Sequence, residues 1–438
     1  MDAMRNMVLK RKRGMNFAGI PSFCTANDLV IEACLEQAQR FDDYVLIEAT
    51  ANQVNQYGGY TGMKPEDYRD FVYQIADRIG FPREKIILGG DHLGPLVWQN
   101  EPEAEAMEKA KELVRLFVLA GFKKIHLDTS MRLADDSREK ALSDEVIAKR
   151  GAILYEVCEN AFLELKKNNP EEERPVFIIG SEVPIPGGAQ EAEESITVTS
   201  PEAVYRTLAV YRREFEKLGQ KNAFDNIIGI VVQPGVEFGD EDVFAYDRVK
   251  AAELTAVLKK YDNIVLEGHS TDYQSPRALK EMVEDGIAIL KVGPALTFAL
   301  REGLFALSMM EKQLIPQDRQ AHFIETMEDV MIKNPENWER HYHGDPLQLQ
   351  LKRKYSFSDR CRYYFAQPQM KSAIQKLFDN FADIKIPVSM LCQYMPLQYR
   401  KVRDGILENS PRELVKDFVV QVTEDYNFAT KLNYMIPS

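Results

Sequence analysis

Eight short apolar runs recur along the first 300 residues, at positions 17–25, 44–49, 86–92, 125–129, 176–183, 227–234, 264–270 and 289–293, and nearly all end in polar or small residues. Between them, residues 29–38, 68–79, 103–120, 143–166, 201–218, 247–260 and 275–283 repeat apolar side chains at three- and four-residue spacings, the mark of a helix packed on one face. A strand apolar along its whole length is one buried on both faces, and parallel strands need a right-handed crossover between them. Eight such units most naturally close into a barrel, so the expected fold is α/β, a (β/α)8 TIM barrel, with an open doubly wound sheet as the alternative. Chemistry in such a barrel collects where the strands stop.

Beyond Leu300 the strand signal fades and helical periodicity dominates, at 301–310, 323–333, 370–381 and 412–426, with a linker-like stretch around 334–346. The expected division is a barrel over residues 1–310 and a helical C-terminal extension over 311–438. At 438 residues and 45% hydrophobic content, the chain can remove roughly three quarters of its unfolded surface from water. No run of eighteen apolar residues and no apolar signal core occurs, so the reading is a cytoplasmic protein with no membrane span. Cys24, Cys34, Cys158, Cys361 and Cys392 form no Cys-x-x-Cys pair and are expected as buried thiols in a reducing compartment. A net charge of −13 argues against a nucleic-acid surface, and the basic cluster from Lys10 to Arg13 reads as a solvated arm.

The strand ends carry the candidate residues. In IILGGDHLGP (86–95) a strand runs through two glycines to Asp91 and His92, read as a proton carrier beside a metal ligand. IHLDTS (125–130) offers Asp128 as a catalytic candidate, with His126 deeper and read as a satisfied core histidine. IIGSEVPIPGG (178–188) delivers Glu182, a metal ligand or base, into a Pro/Gly-rich loop; Glu191, Glu193 and Glu194 beyond it read as a solvated face. Gln233 suits sugar hydroxyls, while Glu237 belongs to the loop. VLEGHSTD (265–272) places Glu267 and His269 on one side of the seventh strand and adds the hydroxyls of Ser270 and Thr271. His92, Glu182 and either Glu267 or His269 lie on odd-numbered strands, which feed the same interior layers, so they are candidates to surround one divalent cation. Lys291 and Gly293, ending the eighth strand, are expected to hold a phosphate with the next helix N-terminus. In SFSDRCRYY (356–364), Arg360 and Arg362 either clamp a phosphate or tie the extension down.

Six motifs taken in order, GGDHLGP (89–95), SEVPIPGG (181–188), VQPGVEFG (232–239), HSTDYQ (269–274), LKVGPALTFALR (290–301) and YSFSDR (355–360), resemble the GatZ/KbaZ family across essentially the whole chain. That family is known as the non-catalytic subunit of class II tagatose-1,6-bisphosphate aldolase, is tied to galactitol and N-acetylgalactosamine catabolism, and includes tagatose 6-phosphate 4-epimerases. The resemblance extends distantly to zinc-dependent class II aldolases. Their Asp-His pair is matched by Asp91 and His92, and their Glu before Gly-Gly by Glu182 with Gly187 and Gly188. Their later histidine motifs differ, becoming Gln233-Pro234-Gly235 and the segment from Glu267 to Ser270, and their Asn-x-Asp-Thr phosphate motif is replaced around Gly293 to Thr297.

The resemblance implies two roles. The hydrogen on C4 of a ketohexose is not adjacent to the C2 carbonyl, so inverting C4 requires either transient oxidation or cleavage and rejoining of C3–C4. No Gly-x-Gly-x-x-Gly follows a strand, which disfavours a dinucleotide oxidation, and no Gly-x-x-x-x-Gly-Lys-Ser/Thr loop marks a P-loop kinase. The expectation is therefore a metal-dependent 4-epimerase interconverting tagatose 6-phosphate and fructose 6-phosphate by a retro-aldol route. In it His92, Glu182 and His269 hold zinc (or manganese or nickel), and Asp91 or Asp128 moves the proton. The alternative is a non-catalytic subunit that stabilises a separate catalytic aldolase chain. Expected partners are a ketose phosphate, that aldolase subunit and a second copy of the chain.

Overall fold

The computed structural model describes residues 3–139, 142–183, 196–261 and 263–430. Eight strands form the sheet: β1 (Ile20–Cys24), β2 (Val45–Thr50), β3 (Ile86–Leu93), β4 (Lys124–Leu127), β5 (Val176–Ile179), β6 (Ile227–Val232), β7 (Val265–Gly268) and β8 (Ile287–Val292). Each pairs in parallel with its sequence neighbours, and β8 pairs with β1, so the sheet is a closed (β/α)8 barrel. A small antiparallel ribbon joining Glu237–Phe238 to Val243–Phe244 stands in the loop after β6.

The crossover helices begin where the sequence supplies caps. Asn27 accepts the amides of Leu29 and Val30 to start α2 (Asp28–Arg40), following the N-terminal helix α1 (Ala3–Lys12). The series continues with α3 (Pro65–Ile79), α4 (Glu103–Leu119) and α5 (Asp144–Asn168). Ser200 and Ser275, each followed by proline, cap α6 (Pro201–Lys217) and α8 (Pro276–Asp285). The helix expected over 247–260 is shorter: Asp247 Oδ1 binds the amides of Val249 and Lys250 in a local turn, leaving only α7 (Ala252–Thr255) and a 3-10 turn.

The basic cluster is solvated as expected, with Lys10, Lys12 and Arg13 exposed, but the segment before it is not a loose arm. In α1, Met4, Met7 and Val8 pack on Ile20, Leu46, Ile87, Val176, Ile228 and Ile289 at the lower end of the barrel interior, so apolar contact orders the segment that carries the basic cluster. At the other end of the chain, α9 (Pro294–Leu314) runs past the expected boundary at 310 and leads into α10 (Phe323–Lys333), α11 (Pro346–Tyr355), α12 (Pro368–Asp379), α13 (Val388–Tyr394), α14 (Pro396–Arg403) and α15 (Pro411–Thr430). Helix α15 returns to pack on α2, α8 and α9, so it joins the outer ring of the barrel. All five cysteines are free; Cys34, Cys158 and Cys361 are buried as expected, whereas Cys24, at the end of β1, is half-buried and Cys392, on α13 at the surface of the extension, is exposed. Among the described residues no helix is long and apolar enough to cross a membrane.

Candidate active site

Above the apolar layer filled by α1, the barrel interior becomes ionic. Glu48 on β2, Lys124 on β4, Glu267 on β7 and Lys291 on β8 are all buried. Lys124 Nζ lies 2.9 Å from Glu48 Oε1 and 2.8 Å from Glu267 Oε2, while Lys291 Nζ lies 2.7 Å from Glu48 Oε2 and 2.5 Å from Asp91 Oδ2. Ser22 on β1 also donates to Glu48. Burial opposes the charge of both lysines, yet the surrounding carboxylates hold each above its ordinary range. Gly89 makes room for this layer: a Cβ there would fall 2.2 Å from Glu48 Oε1.

One step nearer the mouth, the β3–β4 register shifts between Gly90 and Leu93, and His92 adopts a φ of +47°. This bulge breaks the alternation of the strand and sends the adjacent Asp91 and His92 into the same interior. His126 and His269 join them, with ring centroids 5.0 Å and 4.9 Å from His92 and 5.1 Å from each other. Ligating atoms of Asp91, His92, His126 and His269 all lie within 4.8 Å of one another, and all four residues are buried.

Each imidazole is oriented by a carboxylate. His92 Nδ1 lies 2.7 Å from Asp128 Oδ2, His126 Nδ1 lies 2.8 Å from Asp91 Oδ1, and His269 Nε2 lies 2.9 Å from Glu267 Oε1. The backbone amide of His92 also approaches His126 Nδ1, at 3.2 Å. The shorter, charge-assisted contact to Asp91 assigns the proton to that nitrogen. His126 Nε2 is then a buried lone pair without a hydrogen-bond partner. Burial and the neighbouring His92 push His269 down to about 3, so its imidazole is neutral with Nδ1 available. Burial lowers His92 too, but Asp91 and Asp128 outweigh it and raise its pKa. Asp128 sits below the ordinary carboxylate range: its burial is overcome by the hydrogen bond from His92.

This donor set fits a divalent cation. Each of the three imidazoles is held by a carboxylate through one nitrogen, which is how metal-binding histidines are oriented. With the three imidazoles neutral, as ligands are, the buried floor carries four carboxylates, Glu48, Asp91, Asp128 and Glu267, against two ammoniums, Lys124 and Lys291, an excess of two negative charges for a cation to offset.

The expected site residues divide clearly. Asp91, His92, Asp128, Glu267, His269 and Lys291 converge on the floor. Glu182 does not: it is exposed beyond the end of β5, and the Pro/Gly-rich loop with Gly187, Gly188, Glu191, Glu193 and Glu194 lies outside the described residues. His126 takes the place in the cluster expected of Glu182, because the β3 bulge brings Asp91 against its ring. Gln233 is occupied locally, its Oε1 accepting the amides of Gly235 and Val236. Thr271 ties the mouth to α15, bonding Lys291 O at 2.6 Å and the Tyr426 hydroxyl at 2.9 Å. Ser270 and Gly293 border a cavity of about 90 Å³ over the cluster, shared with Asp91, His92, His269 and Lys291. The Gly293 amide already donates to Asp272 Oδ1 at 3.0 Å. Of the two extension arginines, Arg362 reaches this cavity, whereas Arg360 is buried and donates to Asn337 O. Glu48 and Lys124, which sequence reasoning passed over, are charges inside otherwise apolar strands, and that placement is their signal.

A closed parallel barrel with imidazoles and carboxylates gathered at the C-terminal mouth defines a TIM-barrel protein whose chemistry sits where such barrels place it. The chain belongs to the D-tagatose-1,6-bisphosphate aldolase subunit GatZ/KbaZ-like family, whose sequence model matches residues 4–431. It is similar to a solved structure from Sinorhizobium meliloti 1021 described as a probable tagatose 6 phosphate kinase, at 47% identity and a TM-score of 0.85 over 94% of this chain and 100% of that one. Looser likeness extends to the fructose-bisphosphate aldolase of Campylobacter jejuni (15% identity, TM-score 0.44, 86% and 92% coverage). The YdjI aldolase of Escherichia coli K12 stands at a similar distance (12%, 0.39, 87% and 98%).

Proposed function

We propose that this chain is a metal-dependent ketose-phosphate 4-epimerase that interconverts tagatose 6-phosphate and fructose 6-phosphate by breaking and remaking C3–C4. The observation that carries the reading is the buried trio His92, His126 and His269, each backed by a carboxylate, of which His92 and His269 line a cavity that also presents Asp91 and Lys291. The family description and the name of the Sinorhizobium meliloti relative both concern tagatose phosphates, which supports the substrate class.

His92, His126 and His269 would hold a divalent cation, zinc in the first instance, which when bound would supply Lewis acidity for the C2 carbonyl. Asp91 takes the proton from the C4 hydroxyl; as C4 becomes an aldehyde carbon the C3–C4 bond breaks, and its electron pair passes to an enediolate over C2 and C3. The ammonium of Lys291, 2.5 Å from Asp91, stabilises that carboxylate's charge before the proton arrives. Rotation of the bound aldehyde presents its other face, C3–C4 reforms, and Asp91 returns the proton to O4. Atoms and electrons balance without an external oxidant.

The family description, a subunit of an aldolase, favours a second reading: a partner chain that supports a separate catalytic aldolase. Purified chain incubated with tagatose 6-phosphate and a divalent metal separates the two. Fructose 6-phosphate is expected. Its absence, with aldolase activity appearing only after a catalytic subunit is added, rejects the epimerase.

A further inference from the structure

In barrels of this type a phosphate commonly sits at the helix N-terminus that follows the eighth strand, held by backbone amides. That place is filled here by the protein itself. Asp272, 3% exposed, accepts the amides of Gly293 at 3.0 Å and Ala295 at 2.8 Å at the start of α9. A second anion at those amides would face the Asp272 carboxylate without water between them.

Cations stand on the other side of the mouth. Arg362, in the 3-10 turn Arg360–Tyr363 of the extension, borders both the cavity over the histidines and a larger adjoining one of about 370 Å³. Its guanidinium is fixed by Ser358 O, Asp359 O and the Tyr363 hydroxyl, yet forms no salt bridge among the described residues. Lys371, in the first turn of α12, lines the adjoining cavity and likewise forms no salt bridge among the described residues. The two cavities also share Cys24, Gln53, Tyr60 and Gly293, so a ligand can extend from one into the other.

We propose that the substrate's phosphate is bound by Arg362 and Lys371 in the adjoining cavity, and that Asp272 closes the helix end to phosphate and receives sugar hydroxyls instead. This inference rests on the ketose-phosphate reading above, and it makes the C-terminal extension part of the substrate site. The ketose then lies with its reacting carbons over the histidines and its phosphorylated end toward α12.

The test uses the full-length, metal-loaded protein and titrates tagatose 6-phosphate and free tagatose by calorimetry, alongside turnover. R362Q and K371M are each expected to weaken tagatose 6-phosphate binding by about 10- to 100-fold, the range of a lost charge-assisted hydrogen bond. Neither should change metal content or the affinity for free tagatose. Because Lys371 is exposed, K371M keeps its fold even if R362Q disturbs the turn. Equal losses for both sugars, unchanged phosphate-sugar affinity in K371M, or no binding of tagatose 6-phosphate by the wild type would overturn the placement. Arg362- and Lys371-dependent binding without turnover would overturn the epimerase and leave the phosphate site standing. Turnover indifferent to both variants would do the reverse.

Discussion

His126 Nδ1 lies 2.8 Å from Asp91 Oδ1, and Nε2 of the same ring is left buried and without a hydrogen-bond partner in a ring centred 5.0 Å from that of His92 and 5.1 Å from that of His269. A deep histidine thereby becomes a ligand candidate. Replacement of His126 by Ala should reduce metal content of the purified protein, with at least a tenfold loss in affinity, while far-ultraviolet circular dichroism stays native. Glu182→Gln should retain the metal, since Glu182 is exposed. Elemental analysis of the two variants decides: metal lost in E182Q and kept in H126A would restore the ligand set expected from sequence.

The orienting carboxylates give a graded expectation. Asp128 accepts from His92 Nδ1 at 2.7 Å and fixes which nitrogen faces the cluster. Asp128→Asn retains the shape but weakens that hold, so metal affinity should fall by about 10- to 100-fold, less than on removing a ligand. Competition against a chromogenic chelator measures this. Affinity equal to wild type would assign Asp128 a different task, such as proton transfer.

How much of this was legible without coordinates depends on which physical rule governed each residue. The barrel was readable because strands such as β6, with Ile227 to Val232 buried throughout, must be apolar on both faces. His269 and Glu267 were placed correctly on one side of β7 by simple alternation, and they do meet, at 2.9 Å. Alternation failed at Asp91 and His92, where the bulge sends neighbours inward together; nothing in the residue types announces a φ of +47° at a histidine. His126 reads as a core residue because it lies deeper in β4 than Asp128, and it is buried there; the contact with Asp91 at 2.8 Å is what the strand pattern does not show. Strand parity points Glu182 inward, but β5 ends at Ile179 and residues 180–183 are no longer strand, so parity does not fix where Glu182 lies. For Arg362 the sequence leaves a choice between clamping a phosphate and tying the extension down, and that choice turns on the docking of the extension over the mouth, which no local pattern encodes; Asp272 escapes notice because its partners, the amides of Gly293 and Ala295, lie some twenty residues further along the chain.

The ionic layer beneath the cluster makes a stability prediction. Lys124, fully buried, is the cation between Glu48 and Glu267. Lys124→Met leaves two carboxylates facing one another without water, and breaking a buried pair in this way costs about 3–5 kcal/mol. A lowered urea midpoint with an unchanged slope is the expected readout. A midpoint within experimental error of wild type would mean that the two glutamates share a proton or find solvent.

The last prediction concerns the seam that fastens the C-terminal helix to the barrel. Glu32 on α2 accepts from Arg412 Nη2 at 2.7 Å and Lys416 Nζ at 2.8 Å, both on α15, and from Arg78 Nη2 at 2.5 Å on α3. Burial alone would raise its pKa, but these three cations outweigh it and hold the carboxyl at about 2, against 4.5 for the free group. An acid whose folded pKa is depressed binds fewer protons in the native state than in the unfolded state, so its contribution is complete above pH 4.5 and is lost as pH falls toward 2. With allowance for solvent around Arg78 and Arg412, that contribution is about 2 kcal/mol at neutral pH. Thermal unfolding of wild type and E32Q between pH 7 and about pH 3 should show wild type the more stable at neutrality, with the gap narrowing steadily as the solution is acidified. A gap that persists undiminished at the acid end would assign the seam to packing by the side chain, independent of its charge.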